Sequence, residues 1–162
     1  MELYRRGQFA ADPWSHLADG APVPAGGHVI VPAARWRTAA AALAALGVPL
    51  GLALGPADPL DLDAGTYARF AVIAIAFPKF SDGRGYSTAR RLRDQFEFKG
   101  ELRATGDVLL DQVPLMLRLG FDALEVSDAA TRAALARGHR FAIAEVYQAS
   151  RHRAREVEPV GL

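Results

Sequence analysis

Residues 79–87, Lys-Phe-Ser-Asp-Gly-Arg-Gly-Tyr-Ser, bring two cations, one carboxylate and two glycines into a single connection. Glycine lets backbone approach a ligand closely, and amide N–H groups at a helix start favour anions. Lys79 and Arg84 add positive charge, and Phe80 and Tyr86 supply apolar walls. Phosphate, sulfate or a carboxylate fits such a loop. Two further polar groups stand near predicted strand ends, where ligands bind in open α/β sheets. One is Gly106-Asp107 with Asp111 and Gln112, and the other is Ser127-Asp128. Arg103, Asp107 and Asp111 form a second wall. The candidate ligand-binding set is therefore Lys79, Asp82, Gly83, Arg84, Gly85, Tyr86, Ser87, Arg103, Asp107, Asp111 and Gln112.

A plainer reading stands beside this one. Asp82 caps a helix, Gly83 and Gly85 serve the turn, and Arg84 and Arg103 pair with Asp107 or Asp111. Asp107 and Asp111, four apart, share one face of a helix. Two such carboxylates can bind a hard cation or act as an acid–base pair, but an ion-pair network is the stronger expectation and no metal is assigned. Gly83-Arg84-Gly85 is neither a P-loop nor a dinucleotide fingerprint, because the Lys-Ser/Thr and the third glycine are missing. No catalytic residue and no cofactor follow from these residues. If Gly85 gives a ligand close access, Gly85→Ala should weaken binding and leave stability nearly intact.

Composition narrows the classes. The chain has no cysteine, which removes thiol catalysis, disulfides and protein-ligated iron–sulfur clusters. Its histidines, His16, His28, His139 and His152, lie far apart. A net charge of +1 argues for no nucleic-acid partner and no membrane surface. No stretch reaches the ~20 apolar residues of a membrane-spanning helix, and the first residues lack a signal-peptide core. A cytoplasmic location is the expectation.

The elements that must position these groups alternate. Strands are predicted near Leu3 and over 28–31, 48–54, 71–77, 101–106, 121–126 and 141–147. The run 71–77 is continuously apolar, which predicts burial on both faces. Helices are predicted over 35–46, closed by Gly47, and through Tyr67 and Phe70, capped by Asp58 or Asp61. A third places Ala89, Leu92 and Phe96 on one side. A fourth runs from a cap at Asp107 to Leu119, ended by Gly120. The last is capped by Ser127 or Asp128 and closed by Gly138. About five strand–helix units predict an α/β fold with a mainly parallel sheet. A flavodoxin-like three-layer sandwich leads, with a partial (β/α) barrel as the alternative. The expected organisation is an N-terminal arm over 1–27, one α/β domain over 28–149 and a charged tail over 150–162.

The motif Phe77-Pro78-Lys79-Phe80-x-Asp82-Gly83-Arg84-Gly85-Tyr86-Ser87-x-Ala89-Arg90 continues in Gly100-Glu101-Leu102-Arg103-Ala104-x-Gly106-Asp107-Val108-Leu109-x-Asp111-Gln112 and Gly120-Phe121-Asp122-Ala123. With Asp12-Pro13-Trp14, it resembles the bacterial domain-of-unknown-function family 934. Leu119 departs from the family, which often has cysteine there. The resemblance implies an accessory protein of sulfate and sulfite assimilation, encoded beside assimilatory sulfite reductase. Together with the polar cluster, it leads to the expectation that an oxyanion or a sulfur-pathway partner binds at the 79–87 loop. The alternatives are an oxidoreductase, which needs a bound flavin or nicotinamide in a chain without cysteine, and a pure protein-interaction module.

Overall fold

Alternating short strands and helices in the sequence pair into one curled eight-stranded sheet with helices on its outer face. The computed structural model describes residues 2–138 apart from Asp19 and Ala25. The strands are β1 (Glu2–Arg5), β2 (Gln8–Ala10), β3 (Trp14–His16), β4 (His28–Pro32), β5 (Leu50–Leu54), β6 (Val72–Phe77), β7 (Glu101–Gly106) and β8 (Ala123–Val126). The helices are α1 (Ala33–Ala44), α2 (Ala64–Tyr67), α3 (Arg84–Asp94), α4 (Val113–Arg118) and α5 (Ala129–Ala136), with a 3-10 turn at Leu110–Gln112 before α4. The strand expected at 141–147 and the tail over 150–162 lie outside the described residues.

The sheet order is β2-β1-β8-β7-β6-β5-β4-β3. From β3 to β8 every neighbouring pair is parallel, while β1 pairs antiparallel with both β2 and β8. A doubly wound sheet reverses its order at a switch point, and β3 to β8 march in one direction without reversal. Right-handed crossovers that all step the same way leave their helices on one face. Side chains from all five helices (Trp36, Tyr67, Leu92, Met116 and Leu135 among them) accordingly share one core with Val31, Leu52, Ile73, Leu102 and Leu124. The flavodoxin-like sandwich, with helices on both faces, is not the arrangement found. A half-barrel, the partial (β/α) barrel alternative, is compatible with it.

Chain length forces the curl. β2 and β3 lie at opposite edges of the sheet, which would stand about 34 Å apart if the sheet were flat. Only Ala11, Asp12 and Pro13 join them, a reach of about 14 Å. The sheet must therefore roll until its edges approach. Residues 2–16, expected as an arm with one strand near Leu3, instead supply three strands of the sheet. Local pattern did not reveal them because β2 and β3 are only three residues long each.

β6 is buried on both sides, as its continuous apolar run predicts. Ile73, Ile75 and Phe77 face the helices, and Val72 and Ala74 face the inside of the curl with Ile30. Several local rules hold. Gly47, Gly120 and Gly138 close helices with φ of 66°, 90° and 72°, and the Asp128 side chain accepts from Thr131 N at 2.6 Å. Two capping expectations fail. α2 is capped by Asp63, which accepts from Thr66 N at 2.9 Å, while Asp58 and Asp61 instead bind Arg37. Asp107 caps no helix; the chain turns at Gly106 (φ 95°) and helical structure begins only at Leu110.

The inner face offers a packing test. A methyl at Gly51 would lie 2.5 Å from Val72 Cγ1 and 2.9 Å from Ile30 Cγ1. Both partners are fully buried and β-branched, so neither can swing aside. Gly51→Ala should lower stability by about 1–3 kcal/mol through overpacking. Thermal denaturation checks it, and an unchanged midpoint would mean the inner face is not close-packed.

Candidate functional site

The loop between β6 and α3 leaves the carboxyl end of a central strand, and two residues from the next connection pin it. Asp107 Oδ2 accepts from Phe80 N at 2.9 Å, and Gln112 Nε2 donates to Phe80 O at 2.6 Å. Both main-chain groups of Phe80 are thus held, yet its side chain is 56% exposed. Lys79 is exposed beside it and, among the described residues, its side chain makes no hydrogen bond or ion pair. Asp82 accepts from Arg84 N at 3.2 Å, from Nε at 2.9 Å and from Nη2 at 2.7 Å. Arg84 holds the Asp82 carboxyl below its usual range. The plainer reading holds only in that Arg84 is taken up by a structural ion pair: its partner is Asp82, not Asp107 or Asp111, and the N-cap of α3 is Gly83, with no side-chain cap.

Gly85 serves the fold more than an opening, whereas Gly83 is exposed. Neither Gly83 nor Gly85 has positive φ. Gly85 is buried in the first turn of α3, where a methyl would lie 2.6 Å from Phe77 Cζ and 3.2 Å from Ile75 Cγ2. It lets α3 sit close on β6, so its backbone is turned to the core and not to a ligand. Tyr86 packs its ring on Phe77, with centroids 5.0 Å apart. Burial raises the Tyr86 hydroxyl above its usual range, with the charge of Asp111 adding to it. Ser87 lies farther along, lining a shallow depression on the outside of α3 with Arg90, Arg91, Asp94 and Gln95.

Arg103 is not part of this loop's surroundings. It points into the curl, fully buried, and gathers three carboxylates. Its Nη1 donates to Asp12 Oδ2 at 2.7 Å and to Glu125 Oε1 at 2.9 Å; its Nε and Nη2 donate to Glu101 Oε1 at 3.0 and 2.8 Å. Glu101 also takes Arg5 at 3.2 Å, and Glu125 meets His16 Nε2 at 2.9 Å. Neither Asp107 nor Asp111 pairs with Arg103, because successive strand residues face opposite sides and Arg103 faces inward. Among the described residues no cluster of His, Asp and Glu is arranged to hold a metal ion.

Sequence reading missed Asp12, His16, Glu101 and Glu125 as members of this cluster. A signal was present. Glu101, Arg103 and Thr105 alternate with Leu102 and Ala104, and Glu125 interrupts an apolar run. Period-two polarity on interior strands implies a polar inner face. It does not say which residues meet there.

A family model described as "Bacterial protein of unknown function (DUF934)" matches residues 51–157, well over half of the chain. The chain belongs to that family. A search among curated proteins found no match. No helix of the described residues is long and apolar enough to cross a membrane.

Two outcomes follow. Gly85→Ala should lose about 1–3 kcal/mol of stability by overpacking against Phe77, reversing the expectation drawn from sequence; an unchanged thermal midpoint would restore the open-loop view. The second concerns acid. Burial pushes the Glu125 carboxyl up, but the hydrogen bonds and charges of His16 and Arg103 outweigh it, and the net shift is downward. A depressed folded value stabilises the fold above the unfolded glutamate value of about 4.3. That stability disappears as pH falls through the lower folded value. Denaturant titrations should show Glu125→Gln less stable near neutrality, with a smaller loss of stability below about pH 4 than the wild type. Parallel curves for the two proteins would contradict the assignment.

Proposed function

We propose that this protein is an accessory protein of sulfate and sulfite assimilation that docks a protein partner through the 79–87 loop. Phe80 is the anchor. The single observation that carries the reading is an exposed aromatic ring on a backbone held at both its N–H and its C=O. A held aromatic loses little freedom on binding and fills a partner's pocket, the usual character of an interface hot spot. Lys79 and the Asp82–Arg84 pair flank the ring and suit a polar rim. The resemblance to the family suggests the partner to test, assimilatory sulfite reductase.

A second reading, oxyanion binding, draws on Lys79, an exposed cation that pairs with no side chain among the described residues. Arg84 contributes less to it because Asp82 already holds its guanidinium. Gly85 contributes no open backbone to it.

The test is retention of assimilatory sulfite reductase from the same cells on the immobilised protein, wild type against Phe80→Ala. The expected result is retention by the wild type and loss of it by Phe80→Ala, with an unchanged thermal midpoint because the ring is exposed. Equal retention by both, or none by the wild type, would overturn the docking reading. Calorimetric titration of sulfite into wild type and Lys79→Ala separates the oxyanion reading: saturable heat lost in the variant would support it.

A further inference from the structure

The link 11–13 joins the two edges of the curled sheet and leads into β3, its edge strand, after which Leu17 donates its N–H to Ile30 O at 2.9 Å and packs into the core. β3 makes a three-residue parallel pairing with β4. Across the seam, Asp12 bonds Arg103 and His16 bonds Glu125. Beneath this segment lie Ile30, Val72 and Ala74, with Trp14 and Ala53 packed on them. We propose that residues 11–17 act as a pH-sensitive strap, fastened over the inner face when His16 is protonated and loosened when it is neutral.

The argument is one of charge. The groups facing His16 and its partner are Glu125 on β8, Arg103 and Glu101 on β7, Asp12 in the link and Arg5 on β1. Two guanidiniums meet three carboxylates, leaving one negative charge in excess. A protonated His16 balances the cluster. Glu125 is nearly buried, with its side chain 5% exposed, whereas the His16 side chain is 40% exposed and open to protons from solvent. An unbalanced charge at a buried site is costly, while a balanced and hydrogen-bonded one is tolerated. Of the side-chain types in this seam, imidazole is the one that can change charge near neutrality. Neutral imidazole can still donate one hydrogen bond to Glu125, which is why the strap loosens and does not detach. His28 on β4 is a separate histidine beside the strap, packed edge-on against Trp14 at 4.9 Å, and needs its own control.

Hydrogen exchange by mass spectrometry on the full chain tests this, following the peptide that covers 11–17. After correction for intrinsic exchange, protection of that peptide should fall at least about fivefold between about pH 6 and pH 8. Peptides in β6 and β7 should not change. His16→Gln, which keeps a donor but no titration, should show the low protection at both pH values, while His28→Gln should behave as wild type. A flat wild-type profile, or an undiminished fall in His16→Gln, would overturn the proposal. So would a fall lost in His28→Gln and kept in His16→Gln. If His16→Gln folds poorly, NMR of the wild type decides: amides of 11–17 must titrate with the His16 ring, and amides that ignore that titration would equally overturn it.

Discussion

The buried guanidinium of Arg103 is the constraint on which the architecture turns. A charge removed from water must find opposite charge and full hydrogen bonding, or the site fails to form. Arg103 finds Glu101 on its own strand, Glu125 on the next strand and Asp12 in the link between the two edges of the sheet. Only a rolled sheet can bring Asp12 within 2.7 Å. Closure of the curl and neutralisation of Arg103 are therefore one event. Replacing a buried ion network by apolar groups is often neutral or stabilising, so the network's value here is positional. It specifies where the three-residue link must lie.

The outer face obeys the opposite chemistry. Helices cover it with one continuous apolar core in which Phe77, Tyr86 and Phe121 interlock. Gly85 exists to let α3 approach that core. The same close approach makes the loop before α3 stiff, and Asp107 and Gln112 stiffen it further by holding Phe80. An exposed ring on such a base differs from an exposed ring on a loose loop, because its orientation is set before any partner arrives.

Much was legible in the chain. Continuous apolar residues in 71–77 announced a doubly buried strand, and glycines after helical runs announced the stops. The strand–helix alternation announced a mainly parallel sheet. The loop after β6 stood out by residue type, and the structure places Lys79, Phe80, Asp82 and Arg84 together there with Asp107 and Gln112. Arg103 stood in the same expected site, yet one alternation of the strand sends it to the other face. Gly85 read as an opening because a glycine needed for close packing and one needed for access look identical in a sequence.

By itself, then, the sequence determined the element types from β4 onward, most of their boundaries, the family and the chemically dense loop, since these rest on periodicity, local hydrogen bonding and residue identity within a few positions. The tertiary structure alone decided the monotonic strand order, the curl and the meeting of Arg103 with Asp12, residues 91 apart in the chain. Strand order depends on which edges pair across long separations, and curvature depends on a link too short for a flat sheet. Neither quantity leaves a mark in any local window of residues.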